Sequence, residues 1–183
     1  MSGREATFPA PAENGPRVRR TGWGIVEIEA NHLSHLANGV LAPDPDAATA
    51  VRLMQLHDGI AAVLREFRPD EAAVEETLAN RNPASTLKLG MARGTALLVS
   101  ALAGLPVREY LPMAVKKAVV GTGHAGKEQV AMMVGRLLPG CEPAGADAAD
   151  ALAVAICHAH SRESLRRWDA GGVGATKLAG GAP

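Results

Sequence analysis

The spacing of apolar residues along the chain changes several times, and each change marks an element. Thr21–Glu29 and His32–Leu41 read as two adjacent strands that pair as a hairpin. From residue 44 to residue 67 the period lengthens, with Val51, Met54, Ile60, Val63, Leu64 and Phe67 at helical spacing. Residues 71–76 follow Pro69-Asp70, and their short apolar centre predicts a brief buried strand, joined to the hairpin by a βαβ crossover. Asn82-Pro83 is a good cap and first-turn pair for a helix running to Gly104 with the apolar stripe Leu87, Met91, Leu98 and Leu102. Residues 106–111 predict another short strand. Two helices close the pattern, 127–138, ended by Pro139-Gly140, and 147 to about 167. Residues 1–20 are Pro/Ala/Arg-rich and aperiodic, and are expected to be poorly ordered, as is the Gly/Ala-rich tail 168–183. One domain over 21–167 remains.

The last helix carries the strongest chemical signal. The run from Gly145 to Ile156 reads as a buried, alanine-rich helix, yet it holds Asp147 and Asp150. Three residues turn a helix through roughly 300°, so the two carboxylates share a face and can converge on one point. Unpaired, they would repel and be costly to desolvate. A basic partner, protonation or a bound divalent cation relieves that cost, and hard oxygen ligands suit magnesium or manganese. The plainer alternative is that Asp147 helps cap the helix while Asp150 pairs with an arginine. Glu75 falls at the carboxyl end of the 71–76 strand, the edge where open α/β sheets place ligand-binding groups, so it can join the pair in a composite metal site.

Composition narrows the field. With 183 residues and 47% hydrophobic content, the chain has enough apolar side chain for a real core, and at 3% aromatic that core must be aliphatic. A formal net charge of zero argues against a protein that coats nucleic acid wholesale, although a local basic groove is compatible with it. Cys141 and Cys157 lack metal-ligand spacing, and residues 1–30 resemble neither a secretory signal nor a membrane span. A reducing cytoplasm with free thiols is the simplest expectation. The glycines of residues 121–127 lack the Walker spacing, so that segment is read as a turn opening the next helix. His158 and His160 lie too far along the helix to share an ion with the acids. Trp23 is read as a core or sheet-face anchor.

Several runs, in order, resemble one family: Thr21-Gly-Trp-Gly24, Val74-Glu75, the stretch from Thr86 to Gly94, Val115-Lys116, the stretch from Val119 to Gly123, and Ala146-Asp147-Ala-Ala-Asp150-Ala-Leu-Ala153. From Thr21 to about Arg162 the chain resembles the RuvC-type Holliday-junction resolvases. The resemblance implies an α/β ribonuclease H-like fold, a mixed central sheet flanked by helices. It further implies a homodimeric, magnesium-dependent endonuclease, with manganese a possible substitute, that cuts four-way junction DNA alongside branch-migration motor proteins. Glu75, Asp147 and Asp150 match the family's metal-binding carboxylates. Lys116 and Lys127 match its basic positions near the scissile phosphate, and Arg81, Lys88 and Arg93 are candidates to line the same groove. Leu78 stands in the loop where the family commonly places a base-stacking aromatic, which leaves apolar wedging rather than stacking.

The opening departs from the family pattern. Gly15 stands where the first metal-bridging aspartate is expected, six residues before Thr21; Pro16 matches the motif, Arg17 replaces a glycine, and Glu13-Asn14 replaces the end of an apolar strand. Codons for Asp-Pro-Gly preceded by guanine and read one base early give Gly-Pro-Arg, so a slipped reading frame accounts for the change. Glu13 serves as a substitute ligand only if the backbone shifts by about two residues, which in a strand keeps the same face. Two rivals to the nuclease follow: a module that binds junctions without cutting, and a helical interaction protein whose acid pair is structural.

Overall fold

The computed structural model describes residues 2–9, 20–30, 32–77 and 82–170, the last eight of these as backbone only. Strands β1 (Ser2–Phe8), β2 (Thr21–Glu29), β3 (His32–Leu41), β4 (Glu71–Glu75) and β5 (Val107–Tyr110) form one mixed sheet in the order β3-β2-β1-β4-β5. β1 is antiparallel to β2 and parallel to β4, β2 is antiparallel to β3, and β4 is parallel to β5. Helices α1 (Thr49–Phe67) and α2 (Pro83–Leu102) share one apolar core with the sheet. Helices α3 (Pro112–Val120), α4 (Lys127–Leu137) and α5 (Ala146–Ala170) share a second. Among the described residues no helix is long and apolar enough to cross a membrane.

The hairpin, the α1 crossover and both short strands agree with the hydrophobic pattern, but three features differ from it. The first is β1. Residues 2–8 were expected to lack order, yet they form the central strand. Ala6 and Phe8 enter the α1/α2 core, whereas Glu5 and Thr7 are fully buried toward α5. The Thr7 hydroxyl lies 2.9 Å from the Ala151 carbonyl oxygen and 3.1 Å from that of Gly24, and Arg162 Nη1 donates to Glu5 Oε1 over 3.1 Å. A buried face made of polar residues gives no apolar alternation to read.

The second difference is α3, a helix opened by Pro112 at its first turn and closed by Gly121 at φ 85°. The third is the orientation of α2. Leu89, Ala92, Ala96 and Val99 face the core, while Leu87, Met91, Leu98 and Leu102 stand exposed on the other side. The helix has two apolar faces, and the small-residue face lets it lie closer to the sheet.

α5 is buried from Ala148 to His158 except at the half-buried Asp150, with alanine at five of those positions. Its close approach depends on β2. A Cβ on Gly22 would lie 1.9 Å from the Asp147 carbonyl oxygen, and one on Gly24 would lie 2.9 Å from Leu152 Cδ2. Gly22 and Gly24 share a strand face, and Trp23 points to the other, where its ring packs against Phe67 at 5.6 Å. The Gly-Trp-Gly run therefore seats the acid-bearing helix directly on the sheet.

Candidate metal and nucleic-acid site

The first turn of α5 lies at the sheet edge formed by the carboxyl ends of β1, β3 and β4. Gly22, at the start of β2, touches Asp147, and Thr21 pairs with Leu41 at the end of β3. Gly145, at φ 125°, turns the chain into the helix, and Ala149 N donates to its carbonyl over 3.0 Å. Asp147 and Asp150 thus sit at the positive end of the α5 dipole, which favours anions.

Each acid has a basic partner. Arg20 Nε is 3.3 Å from Asp147 Oδ2, and Lys127 Nζ is 3.5 Å from Asp150 Oδ2. Both cations are largely in solvent, with side chains 56% and 68% exposed. Burial pushes the Asp150 carboxyl above the usual carboxylate range; Lys127 and Lys116 pull it down, and Asp147 pushes it up. Lys116 on α3, Lys127 at the start of α4 and the two acids therefore act on one small volume.

Glu75 is the last residue of β4, opposite Tyr110 in the β5 register, and is half-buried. It shares the carboxyl edge with the acid pair. Among the described residues, however, no three His, Cys, Asp or Glu side chains stand close enough to hold one ion. The structure brings Asp147 and Asp150 together on one turn and leaves Glu75 on the neighbouring strand. The donor chemistry suits a hard divalent cation: two carboxylates side by side, one of them raised by burial, are relieved by a cation that outcompetes two exposed basic side chains.

A family model for crossover junction endodeoxyribonuclease RuvC matches residues 14–158. The chain belongs to the RuvC family. A relative of that name from Paramagnetospirillum magneticum is 67% identical over 152 residues, 83% of this chain and 92% of that one. Another, from Gluconacetobacter diazotrophicus, is 62% identical over 156 residues, 85% and 93% of the two chains. Among solved structures, Thermus thermophilus RuvC in complex with a Holliday junction substrate superposes with a TM-score of 0.77 at 35% identity, covering 88% of this chain and 96% of that one. The yeast mitochondrial Holliday junction resolvase Ydc2 shares the fold at 12% identity, with a TM-score of 0.58 over 91% and 83% of the two chains. The mixed five-stranded sheet flanked by helices is the ribonuclease H-like fold of these proteins.

The RuvC match starts at residue 14, so β1 lies wholly before it. β1 ends on Thr7-Phe8, with Phe8 beside Val74, and the last strand residues offer no carboxylate next to Glu75. Gly15 and Glu13 lie outside the described residues, as do Leu78 and Arg81. Lys88 is on α2, on the sheet face away from α5, beside Arg52 of α1. Arg93 pairs with Glu109 of β5, its Nε 2.7 Å from Oε2. Residues 121–127 form the expected turn into α4, where the Gln129 side chain accepts from Gly126 N over 3.0 Å.

Sequence reasoning passed over Arg20 and Arg52. The basic run next to Thr21 was a signal for the first; nothing in the α1 stripe singled out the second. His158 lies at the far end of the buried stretch of α5 from the acid pair. It is buried, with Nδ1 2.8 Å from Tyr110 Oη and Nε2 3.2 Å from Glu71 Oε2, and burial holds its pKa down to about 4. The Tyr110 hydroxyl and Nδ1 of the neutral imidazole form a hydrogen bond whose direction follows from the tautomer.

Proposed function

We propose that the chain is a structure-selective DNA endonuclease that resolves four-way junctions by magnesium-dependent phosphodiester hydrolysis, acting as a homodimer in the cytoplasm. The observation that carries this reading is the pairing of Asp147 and Asp150 on the first turn of a buried helix, faced by Lys116 and Lys127. Family membership agrees with it, as does the likeness to a RuvC bound to a Holliday junction. Asp147 and Asp150 would hold the cation, with Glu75 a proposed further ligand from the same sheet edge and manganese a substitute. When bound, such an ion supplies a water of lowered pKa and positive charge at the leaving 3′ oxygen.

The protein's own contribution is positioning. Lys127 and Arg20, exposed and paired with the acids among the described residues, can exchange carboxylate for phosphate as DNA arrives. Lys116 and Lys127 then orient the scissile phosphate and offset charge that develops on it. Arg81, Lys88, Arg93 and Leu78 complete the proposed nucleic-acid contacts.

Homodimerisation suits symmetric cuts in two strands. The outward face of α2 supports it. Leu87, Met91, Leu98 and Leu102 are exposed there, and a Cβ on Gly90 or Gly94 would meet nothing within 4 Å. Two glycines lower the intrinsic stability of a helix by about 1 kcal/mol each, a cost that close approach of a second helix offsets. Branch-migration motor proteins are the proposed partners in the same pathway.

A second reading, junction binding without cleavage, is favoured by Gly15 at the expected aspartate position and by the lack of a carboxylate at the end of β1. Metal titration separates the two. The nuclease reading expects magnesium to raise the melting temperature of the wild type but not of a chain carrying both Asp147→Asn and Asp150→Asn, and expects four-way junctions to be cut in preference to linear duplex. Junction binding with no magnesium response and no cutting supports the binding module instead.

A further inference from the structure

The chain enters α5 through a turn that stands in solvent, and one side chain of β3 grips it. Glu142, Ala144, Gly145 and Ala146 are all exposed. The Gly145 carbonyl accepts from Ala149 N, which puts Gly145 at the helix cap, where a glycine has no side chain to offer the free N–H groups. Pro143 has no N–H at all. The turn is therefore held from outside.

Asn38 does the holding. Its Oδ1 accepts from Ala144 N over 2.7 Å and its Nδ2 donates to the Glu142 carbonyl over 3.2 Å, so a single amide engages the backbone on both sides of Pro143. A main-chain N–H only donates, which settles which way the amide faces. The atom 2.9 Å from His35 Nε2 is then the nitrogen, and the ring accepts from it as a neutral imidazole with its proton on Nδ1. Burial lowers the pKa of His35, in keeping with that state.

The path of β3 is irregular at this point. Residues three apart on a regular strand face opposite ways. Ala37 lies opposite Ile25 and His35 opposite Val26, so Leu36 is an extra residue, and the bulge returns His35 and Asn38 to one face. That face belongs to α5. Asn38 lies opposite Gly24, where a Cβ would meet Leu152, and His35 lies opposite Val26, which shares a core with α5. The bulge thus aims two polar side chains at the turn that leads to Asp147.

Packing fixes α5 from Ala148 onward, but Asp147 precedes that stretch and follows Ala144 by three residues. A displacement of about 1 Å in a reacting group can cost on the order of 100-fold in rate. We propose that Asn38, oriented by His35, is a positioning residue for the acid pair, clamping the turn so that Asp147 and Asp150 meet the cation together. The proposal rests on the reading of those acids as metal ligands. Asn38 acts only through the backbone of residues 142–144.

The test uses the full chain as wild type, Asn38→Ala, His35→Leu and His35→Gln. Exchange of the Ala144 amide proton reads the clamp directly. Single-turnover cleavage of a synthetic four-way junction against magnesium concentration reads its consequence, with metal-free junction binding and melting temperature measured alongside. In Asn38→Ala the Ala144 amide is expected to exchange faster, and the magnesium needed for half-maximal cleavage to rise about tenfold, while metal-free binding stays unchanged. His35→Leu moves the magnesium requirement the same way by less, and His35→Gln, which again offers an acceptor, restores it. A lower melting temperature in Asn38→Ala with the wild-type magnesium requirement makes the residue merely structural and overturns the proposal. If Asn38→Ala fails to fold, a raised requirement in His35→Leu supports the clamp and an unchanged one overturns it. A wild type that does not cut refutes the nuclease reading. The clamp then stands if magnesium raises the melting temperature of the wild type more than that of Asn38→Ala, and falls if the two respond alike.

Discussion

Helix α5 holds charged groups at both ends of its buried stretch, and the two sets are built differently. At its start, Asp147 and Asp150 face Arg20 and Lys127, whose side chains are mostly in solvent. Near its other end, Glu5 and Glu71 face Arg162, only 14% exposed, with Arg108 acting at longer range and a neutral His158 between them. Arg162 reaches both acids at 3.1 Å. In the second cluster the counter-ion is packed in place and ties strand β1 and strand β4 to the helix. In the first the counter-ions can leave. Exposure of the cation, rather than the presence of paired acids, separates a site that can accept a ligand from one that holds the fold together.

The sharpest way to break the comparison is to remove a cation from each cluster. Arg162→Leu takes the cation away from two carboxylates, one of them fully buried, and is expected to cost about 3–5 kcal/mol in urea unfolding. Arg20→Leu removes an exposed partner and is expected to cost less than about 1 kcal/mol. Similar losses for both would erase the distinction.

Acid probes the internal cluster through His158. The folded-state pKa of His158 lies near 4, below its ordinary value of 6.5, so between those values the unfolded chain takes up a proton that the native chain refuses. The stabilisation is fully present above pH 6.5 and is lost as pH falls toward 4, by up to about 3 kcal/mol. His158→Gln is expected to flatten stability over that window, measured as unfolding midpoint against pH. An unchanged slope in the variant would place the titration elsewhere.

At the edge cluster, charge removal acts on turnover instead of folding. Asp150→Asn is expected to slow single-turnover junction cleavage at least about 100-fold, since the loss of even an outer partner of a metal ligand costs 10–100-fold. Its melting temperature should not fall, because a raised carboxyl beside Asp147 is a strained one. Lys127→Met is the mildest change, with cleavage down about tenfold and stability altered by less than about 1 kcal/mol, read from the same two assays.

Much of this was legible before any coordinates. The β2/β3 hairpin, α1, β4 and the acids of α5 follow from period, turn residues and a charged pair in an alanine run. β1 was not legible, because its buried face consists of Glu5 and Thr7, and what makes them tolerable is Arg162, 157 residues away, and the Ala151 carbonyl. The burial of α2 was not legible either. Leu87, Met91, Leu98 and Leu102 form the stronger apolar stripe, but closeness of packing favours Leu89, Ala92, Ala96 and Val99. Period tells which residues share a face, not which of two apolar faces meets the sheet. At the site, the acids stood out because they interrupt an apolar helix. The burial of Arg52 on α1 did not stand out, because which face of that helix meets the sheet is a property of three dimensions.

The most direct test is cleavage of an end-labelled synthetic four-way junction by the full chain and by Asp147→Asn, with junction binding measured on the same preparations. The account predicts that the full chain cuts only when magnesium is present, while Asp147→Asn binds comparably and does not cut. Cleavage by Asp147→Asn at the wild-type rate would contradict it.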